Sequence, residues 1–431
     1  MYCGNCFRDN ALVATLRQMG HSTLMVPLYL PLTLDEEDQS AGTPVFFGGV
    51  SVFLEQKFAL FRRAPRWLHR WLASRALLRW AAGRAAKTRA TDLGDLMLST
   101  LRGEQGKQAC ELDELVTWLK QQPHPDVICL SNILLIGLVR TLKQALRSAV
   151  VCMLQGEDTF LDALPDSHRA RCWQVLRERA PQVDLFIAPS RYFGDLMRGR
   201  LGLDAGRVRV VSNGITLTEY GGENRSRDFS SSPVLGYLAR MCREKGLDVL
   251  VAAYVILRQR DRVKNLKLRV GGGCGPSDEP FVNSLREQLR AVGLLGDVEF
   301  CPNLDRAGKI AFLRSLTVFS VPASYGEAFG LYAIEALAAG VPIVQPRTAA
   351  FPELVQATGG GVLYEPGNAE NLADAIEQVL LQPGEAHALG KAGRRAVFEK
   401  FTAERMAQNM VASFEEALRQ HGQGWVTLDS C

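Results

Sequence analysis

Apolar positions along this chain fall in two textures. Short continuous apolar runs, which suit strands buried on both faces of a parallel sheet, alternate with longer stretches of helical spacing. Residues 11–19 have helical spacing, Gly20 reads as a stop, and residues 22–27 read as a strand. Residues 126–130 form a buried-strand pattern, followed by a helix through Leu146 and a strand at 149–154. Residues 184–188 and 208–211 predict two more strands, ending at the polar turns Pro189-Ser190 and Ser212-Asn213-Gly214. Alternation of this kind is the pattern of α/β layers.

The texture breaks at residues 221–233, where Gly, Ser, Pro and charged residues leave little to pack, as in a domain linker. The alternation then restarts. Strands are expected at 234–238, 266–270, 298–301, 316–321 and 342–344, with a helix at 246–259 and a last long helix at 402–419. Two Rossmann-like halves fit this better than one large sheet. The expected boundaries are residues 1–218, a linker at 219–233, a second domain at 234–400, and a final helix and tail at 401–431. A doubly wound domain opens on a strand whose Gly-rich turn leads into the first helix. Here the sequence starts at that turn, with Gly4 just before the helix. The first strand is therefore supplied otherwise, or the true start lies upstream.

Composition narrows the class. Hydrophobic residues are 47% and charged residues 22% of 431, ordinary for a globular protein and wrong for a disordered one. Fifty Lys+Arg against 46 Asp+Glu give a formal charge of +4, too small to argue for wholesale nucleic-acid binding. The start has neither the basic nor the apolar region of a secretory signal, and the longest apolar run, 127–139, contains Ser131 and Asn132. Ten cysteines are scattered singly except for Cys3-x-x-Cys6, and no second pair completes a zinc site. These features point to a reduced, cytoplasmic protein with buried thiols and no metal site.

The chemistry concentrates in residues 324–342. A strand feeds the loop Ser324-Tyr325-Gly326-Glu327-Ala328-Phe329, and a helix opens near Gly330. Backbone N–H groups at a helix N-terminus favour a phosphate, and the helix dipole adds to the preference. Glu327 and Glu335 would repel a bare phosphate but suit hydroxyl groups. Phosphate donors flanked by hydroxyl-accepting carboxylates describe a nucleotide-sugar site. Glu327 and Glu335, with seven residues between them and Phe329-Gly330 inside, resemble the signature of family-4 glycosyltransferases of the GT-B fold. The segments 236–240 and 244–248 resemble that family's donor-phosphate region. Asn213-Gly214-Ile215 is similar to the turn before its interdomain linker, and Met19-Gly20-His21 to the end of its first helix.

The resemblance implies two Rossmann-like domains whose parallel sheets face each other across a cleft, with donor bound by the second domain, acceptor by the first, and the final helix and tail at 401–431 returning to the first domain. It also implies roles. Arg240 and Lys245 bind the donor diphosphate and stabilise the leaving nucleotide. Glu327 holds the donor-sugar hydroxyls and Glu335 the ribose. The N–H groups of Phe329, Gly330 and Leu331 complete the cradle, and Gly4 admits the first loop close to the diphosphate. Such enzymes retain anomeric configuration and use no metal, the only cofactor-like molecule being the nucleotide-diphosphate sugar itself. Many relatives carry a His after the strand that ends here at Leu154. This chain has Gln155-Gly156-Glu157-Asp158, whose carboxylates are candidates both to orient an acceptor hydroxyl and to cap a helix.

Residues 62–91 hold nine Lys/Arg, no Asp or Glu, and Trp67, Trp71 and Trp80. This composition suits anionic lipid headgroups or an acidic acceptor, and equally an insertion helix with solvated arginines. The resulting expectation is a retaining hexosyltransferase that moves sugar to an acceptor sugar, lipid or other hydroxyl compound, with peripheral contact at the inner membrane face and no nucleic acid. The alternatives are a GT-B nucleotide-sugar epimerase and a non-catalytic scaffold of the same fold.

Overall fold

In the computed structural model, residues 4–29, 36–47, 90–221 and 232–426 are described, the side chains of 90–92 and 423–426 excepted. The basic segment 62–91 up to residue 89, Cys3 and linker residues 222–231 lie outside them. The chain divides into two compact units. One comprises Met1–Leu12, Thr33–Glu36 and Ser212–Met406; the other comprises Val13–Leu32, Glu37–Val211 and Ala407–Cys431.

The second of these units carries four strands: β1 (Val127–Leu130), β2 (Ala149–Met153), β3 (Leu185–Ala188) and β4 (Val208–Val210). They are parallel and lie side by side in chain order. The central pair is apolar and fully buried, whereas β1 and β4 are partly exposed, as edge strands with one lateral neighbour are. Residues 22–27 are not a strand. They make no ladder bonds among the described residues, and Leu24 is 46% exposed. Alternating side chains make a strand only where a neighbouring backbone supplies the hydrogen-bond partners.

The other unit holds a six-stranded parallel sheet. Its members are β5 (Val234–Leu238), β6 (Lys267–Gly272), β7 (Val298–Pro302), β8 (Val318–Phe319), β9 (Ile343–Pro346) and β10 (Gly361–Tyr364). The spatial order is β10-β9-β8-β5-β6-β7. The chain starts in the middle, winds one way through β6 and β7, then returns to the other side of β5 with β8. Ligands in such sheets bind in the crevice at the carboxyl ends of the two strands where winding reverses, here β5 and β8. The expected strand at 316–321 shrinks to Val318–Phe319, flanked by single hydrogen bonds to β5 from the N–H groups of Thr317 at 2.8 Å and Ser320 at 3.0 Å. β10 is not anticipated by the sequence pattern, since Gly359-Gly360-Gly361 at its start reads as a turn. Only Cys152 and Cys172 are buried among the described cysteines, so the expectation of buried thiols holds for two of them and not for the others. No helix of the described residues is long and apolar enough to cross a membrane.

The loops leaving β5 and β8 are pressed together. Gly246 has φ +70°, and a Cβ there would stand 1.8 Å from the Pro322 carbonyl oxygen. Ser324 N–H also donates to the Glu244 carbonyl at 3.0 Å. Gly293 has a similar φ of +71° but open space around it. Gly246→Ala should therefore lose about 2–4 kcal/mol, strain plus collision, against about 1 kcal/mol for Gly293→Ala. Chemical denaturation of the two variants tests this; equal losses would mean that the loop contact adds nothing.

Candidate functional site

Three cations at the carboxyl edge of the six-stranded sheet are each held by a carboxylate. Arg240 lies just beyond β5. Its Nε donates to Asp278 at 3.2 and 3.1 Å and its Nη2 at 2.7 Å. The Arg240 side chain is 61% exposed and that of Asp278 only 8%. Burial alone would raise the Asp278 pKa, but the Arg240 bonds and charge and the Gly275 N–H outweigh it and hold the carboxyl below its ordinary range.

Lys245 closes the short 3-10 turn Arg243–Lys245. Its Nζ donates to Glu327 Oε2 at 2.7 Å and lies 4.8 and 5.2 Å from the ring centroids of Tyr325 and Tyr332. The hydroxyls of Tyr332 and Tyr325 donate to the same oxygen at 2.8 and 3.4 Å. Burial would lower the lysine pKa, but the Glu327 charge and the Tyr325 contact outweigh it and keep the ammonium charged. Burial and the Glu327 charge raise both tyrosine pKa values, so both phenols stay protonated.

Gly330 has φ +90° and is the N-cap of helix Leu331–Ala338. A Cβ there would meet Phe351 at 3.0 Å. The left-handed cap turns the chain sharply into the helix, whose first N–H groups have no intrahelical acceptor. Phe329 is buried and packs on Phe401 at 6.0 Å between centroids, fixing the loop from below. Glu335, in the second turn, accepts through Oε1 from Lys309 Nζ at 2.8 Å. Both side chains are mostly buried, and Lys309 Nζ is also 5.7 Å from the Phe7 ring centroid. Gly4 is not a loop residue before a helix but the first residue of helix Gly4–Gln18. A Cβ at Gly4 would touch Leu331 Cδ1 at 3.5 Å, so this glycine lies against the start of the cradle helix.

The sequence reading missed Asp278, Tyr325, Tyr332 and Lys309. Lone polar residues far along the chain carry no local signal; the two tyrosines did sit inside the motif stretch. Among the described residues no group of three or more His, Cys, Asp or Glu is placed to hold a metal.

The carboxylates after β2 separate. Glu157 is buried and accepts the N–H of Ile133 at 3.1 Å and of Gln155 at 2.7 Å. It ties the loops after β1 and β2 together, which explains its presence without an acceptor. Asp158 is 7% exposed and its Oδ1 has no hydrogen-bond partner. Burial raises its pKa, opposed by the Thr159 N–H and the Arg200 charge.

Two family models match this chain: "Glycosyltransferase Family 4" over residues 104–219 and "Glycosyl transferases group 1" over 223–396. A D-inositol 3-phosphate glycosyltransferase of Rhodococcus jostii is 28% identical over 249 residues, 56% of this chain and 55% of that protein. The Actinosynnema mirum protein of the same name is 30% identical over 246 residues, 55% and 58% of the two chains. The chain thus spans little more than half the length of these curated relatives. Among solved structures, Anabaena HepE in complex with UDP aligns with a TM-score of 0.62 at 17% identity, covering 73% of this chain and 84% of that one. Sucrose-phosphate synthase from Thermosynechococcus elongatus aligns at 0.60 and 24% identity, covering 71% and 78%. Both likenesses concern the fold, which is GT-B.

An acid whose pKa rises on folding costs stability where it must ionise. Its unfavourable contribution grows as pH climbs above the unfolded value and vanishes below it. Asp158→Asn should raise the stability at pH 7 by about 1 kcal/mol or more, with the gain shrinking as pH falls toward 4. Thermal melts of both proteins across that range check the sign; a gain that persists at acid pH would rule out ionisation as its cause.

Proposed function

This chain belongs to the family-4 glycosyltransferases, and we propose that it transfers a hexose-type sugar, with retention, from a nucleotide-diphosphate sugar to an acceptor hydroxyl. The observation that carries the reading is the ion pair of Lys245 with Glu327, which joins the loops leaving β5 and β8 just before helix Leu331–Ala338, with Arg240 on the same loop after β5. Neutralising a diphosphate needs cations, and placing a sugar needs a carboxylate within reach of them. The similar structures of Anabaena HepE in complex with UDP and with UDP-glucose make UDP-sugars the first donors to screen.

In the proposed reaction the donor phosphates take up the donor groups of Arg240 and Lys245 and the N–H groups of Phe329, Gly330 and Leu331. Gly4 leaves room beside Leu331 for the phosphates to approach. Glu327 accepts from sugar hydroxyls while its bond to Lys245 aligns sugar and phosphate with each other. Glu335 accepts from the ribose hydroxyls through the oxygen that does not hold Lys309. The acceptor hydroxyl attacks the anomeric carbon on the face from which the nucleotide leaves. Its oxygen bonds to that carbon as the carbon–phosphate oxygen bond breaks, and the departing phosphate takes the hydroxyl proton. Charge building on the leaving phosphate is then stabilised by Arg240 and Lys245, the largest contribution the protein makes. Phosphate charge is met by side chains, so no metal enters the scheme, and EDTA should leave turnover with a matched donor nearly unchanged. A complete loss restored by magnesium would overturn the cationic cradle. For the segment 62–91 we keep the reading of a contact for anionic lipid or an acidic acceptor, separate from donor binding.

The two glutamates should fail differently. Glu335→Ala should weaken donor and free nucleotide alike, by about ten- to a hundredfold, the cost of about 1.5–3 kcal/mol for hydrogen bonds to a charged acceptor. Glu327→Ala should cut kcat sharply yet leave nucleotide-diphosphate affinity equal or higher, because the Lys245 charge is then no longer shared with a carboxylate. Calorimetry with the free nucleotide beside turnover measurements separates the two. Wild-type turnover in both variants would place the transfer site elsewhere.

A further inference from the structure

The end of β6 and the loop after it, Gly271-Gly272-Gly273-Cys274-Gly275, have no role in the reaction just described, yet they are built to tight tolerance. Gly272 has φ +124°, and a Cβ there would lie 1.9 Å from the Ala239 carbonyl oxygen, one residue before Arg240. Met241 N–H donates to the Gly273 carbonyl at 2.8 Å. Asn303 clamps Cys274 from both sides, accepting its N–H at 3.1 Å and donating to its carbonyl at 3.0 Å. The next residues turn so that Gly275 N–H donates to Asp278 Oδ2 at 3.1 Å and Asp278 N–H to the Gly275 carbonyl at 2.8 Å. This path delivers a buried carboxylate against an exposed guanidinium. The Arg240 backbone is fixed as well, its carbonyl accepting the Tyr237 hydroxyl at 2.8 Å.

The guanidinium has five N–H donors in one plane. Asp278 takes Nε and Nη2, one lateral edge of that plane. The end edge, formed by one Nη1 hydrogen and the second Nη2 hydrogen, stays clear of this carboxylate. We propose that Asp278 is a positioning residue: it grips the lateral edge of Arg240 so that the end edge faces the donor diphosphate, and the glycine loop exists to bring it there. The proposal rests on the donor-binding reading of Arg240. A free arginine with more than half its side chain exposed samples many rotamers, and immobilising it costs free energy at the moment of binding. Asp278 moves that cost from binding into folding. Because the carboxylate is fixed by the Gly275 N–H and largely buried, it does not follow the guanidinium toward the ligand.

Removing Asp278 should therefore act only through Arg240. Calorimetry with UDP and steady-state kinetics with UDP-glucose, or with the donor that the nucleotide-sugar screen selects and its nucleotide, are to be run on Asp278→Ala, Asp278→Asn, Arg240→Ala and the Arg240→Ala/Asp278→Ala double variant. Asp278→Ala should bind the nucleotide about tenfold more weakly and lose kcat as well, while the amide of Asp278→Asn, still accepting one bond, recovers part of both. The double variant should match Arg240→Ala, since the second change has nothing left to position. Tighter nucleotide binding in Asp278→Ala, or losses that add in the double variant, would overturn the positioning role and leave the donor reading intact. If Arg240→Ala itself binds nucleotide like wild type, the donor reading of Arg240 falls first. Should Asp278→Ala fail to fold, Asp278→Asn carries the test: wild-type affinity and kcat together with an unchanged melting temperature would refute the proposal.

Discussion

Backbone meeting backbone at the carboxyl edge of β5 is the constraint on which the candidate site depends. Gly246 lies against the Pro322 carbonyl and Gly272 against the Ala239 carbonyl, both at distances that leave no room for a Cβ. Because the loops after β5, β6 and β8 approach this closely, Asp278 comes within hydrogen-bond distance of Arg240, and Glu327 of Lys245. Two left-handed glycines thus place four charged side chains that are far apart in the chain. The same closeness explains why β8 can be so short: the loop that follows it is held by the turn 243–246 rather than by a ladder.

The charges so placed form pairs. A cation as enclosed as Lys245 is expensive without a partner, and Glu327 with the faces of two tyrosines supplies one. Lys309 and Glu335 repeat the arrangement on the neighbouring helix pair. Pairing keeps the site stable without ligand, and it sets what binding must do. On the proposed donor reading, an incoming diphosphate would add to partners already present, and its affinity would depend on how each pair divides its hydrogen bonds between protein and ligand. Arg240, with 61% of its side chain exposed, is the more open of the two cations and Lys245 the more enclosed.

Membership of a glycosyltransferase family and the GT-B fold say which chemistry this scaffold hosts elsewhere, whereas donor and acceptor are selected by pocket side chains. In the four-stranded unit, Glu157 holds two backbone N–H groups, and Asp158 is buried with one oxygen outside any hydrogen bond.

Much was legible from residue order alone. Parallel α/β layering, eight of the ten strands near their observed ends and the cap at Gly330 follow from local pattern, and motif spacing is what makes Arg240, Lys245, Glu327 and Glu335 candidates. Hydrophobic periodicity and helix-stop residues act over a few neighbours, so a sequence displays them directly. Failures came where a distant partner decides. Residues 22–27 have a strand's apolar run but no ladder partner among the described residues, β10 starts at a glycine and is defined by its pairing with β9, and Gly4 lies in a helix instead of preceding one. Asp278, Tyr325, Tyr332 and Lys309 were invisible as site residues for the same reason. A side chain's charge is written in the sequence, but its partner is chosen by tertiary packing, which here brings together residues 26 to 82 positions apart.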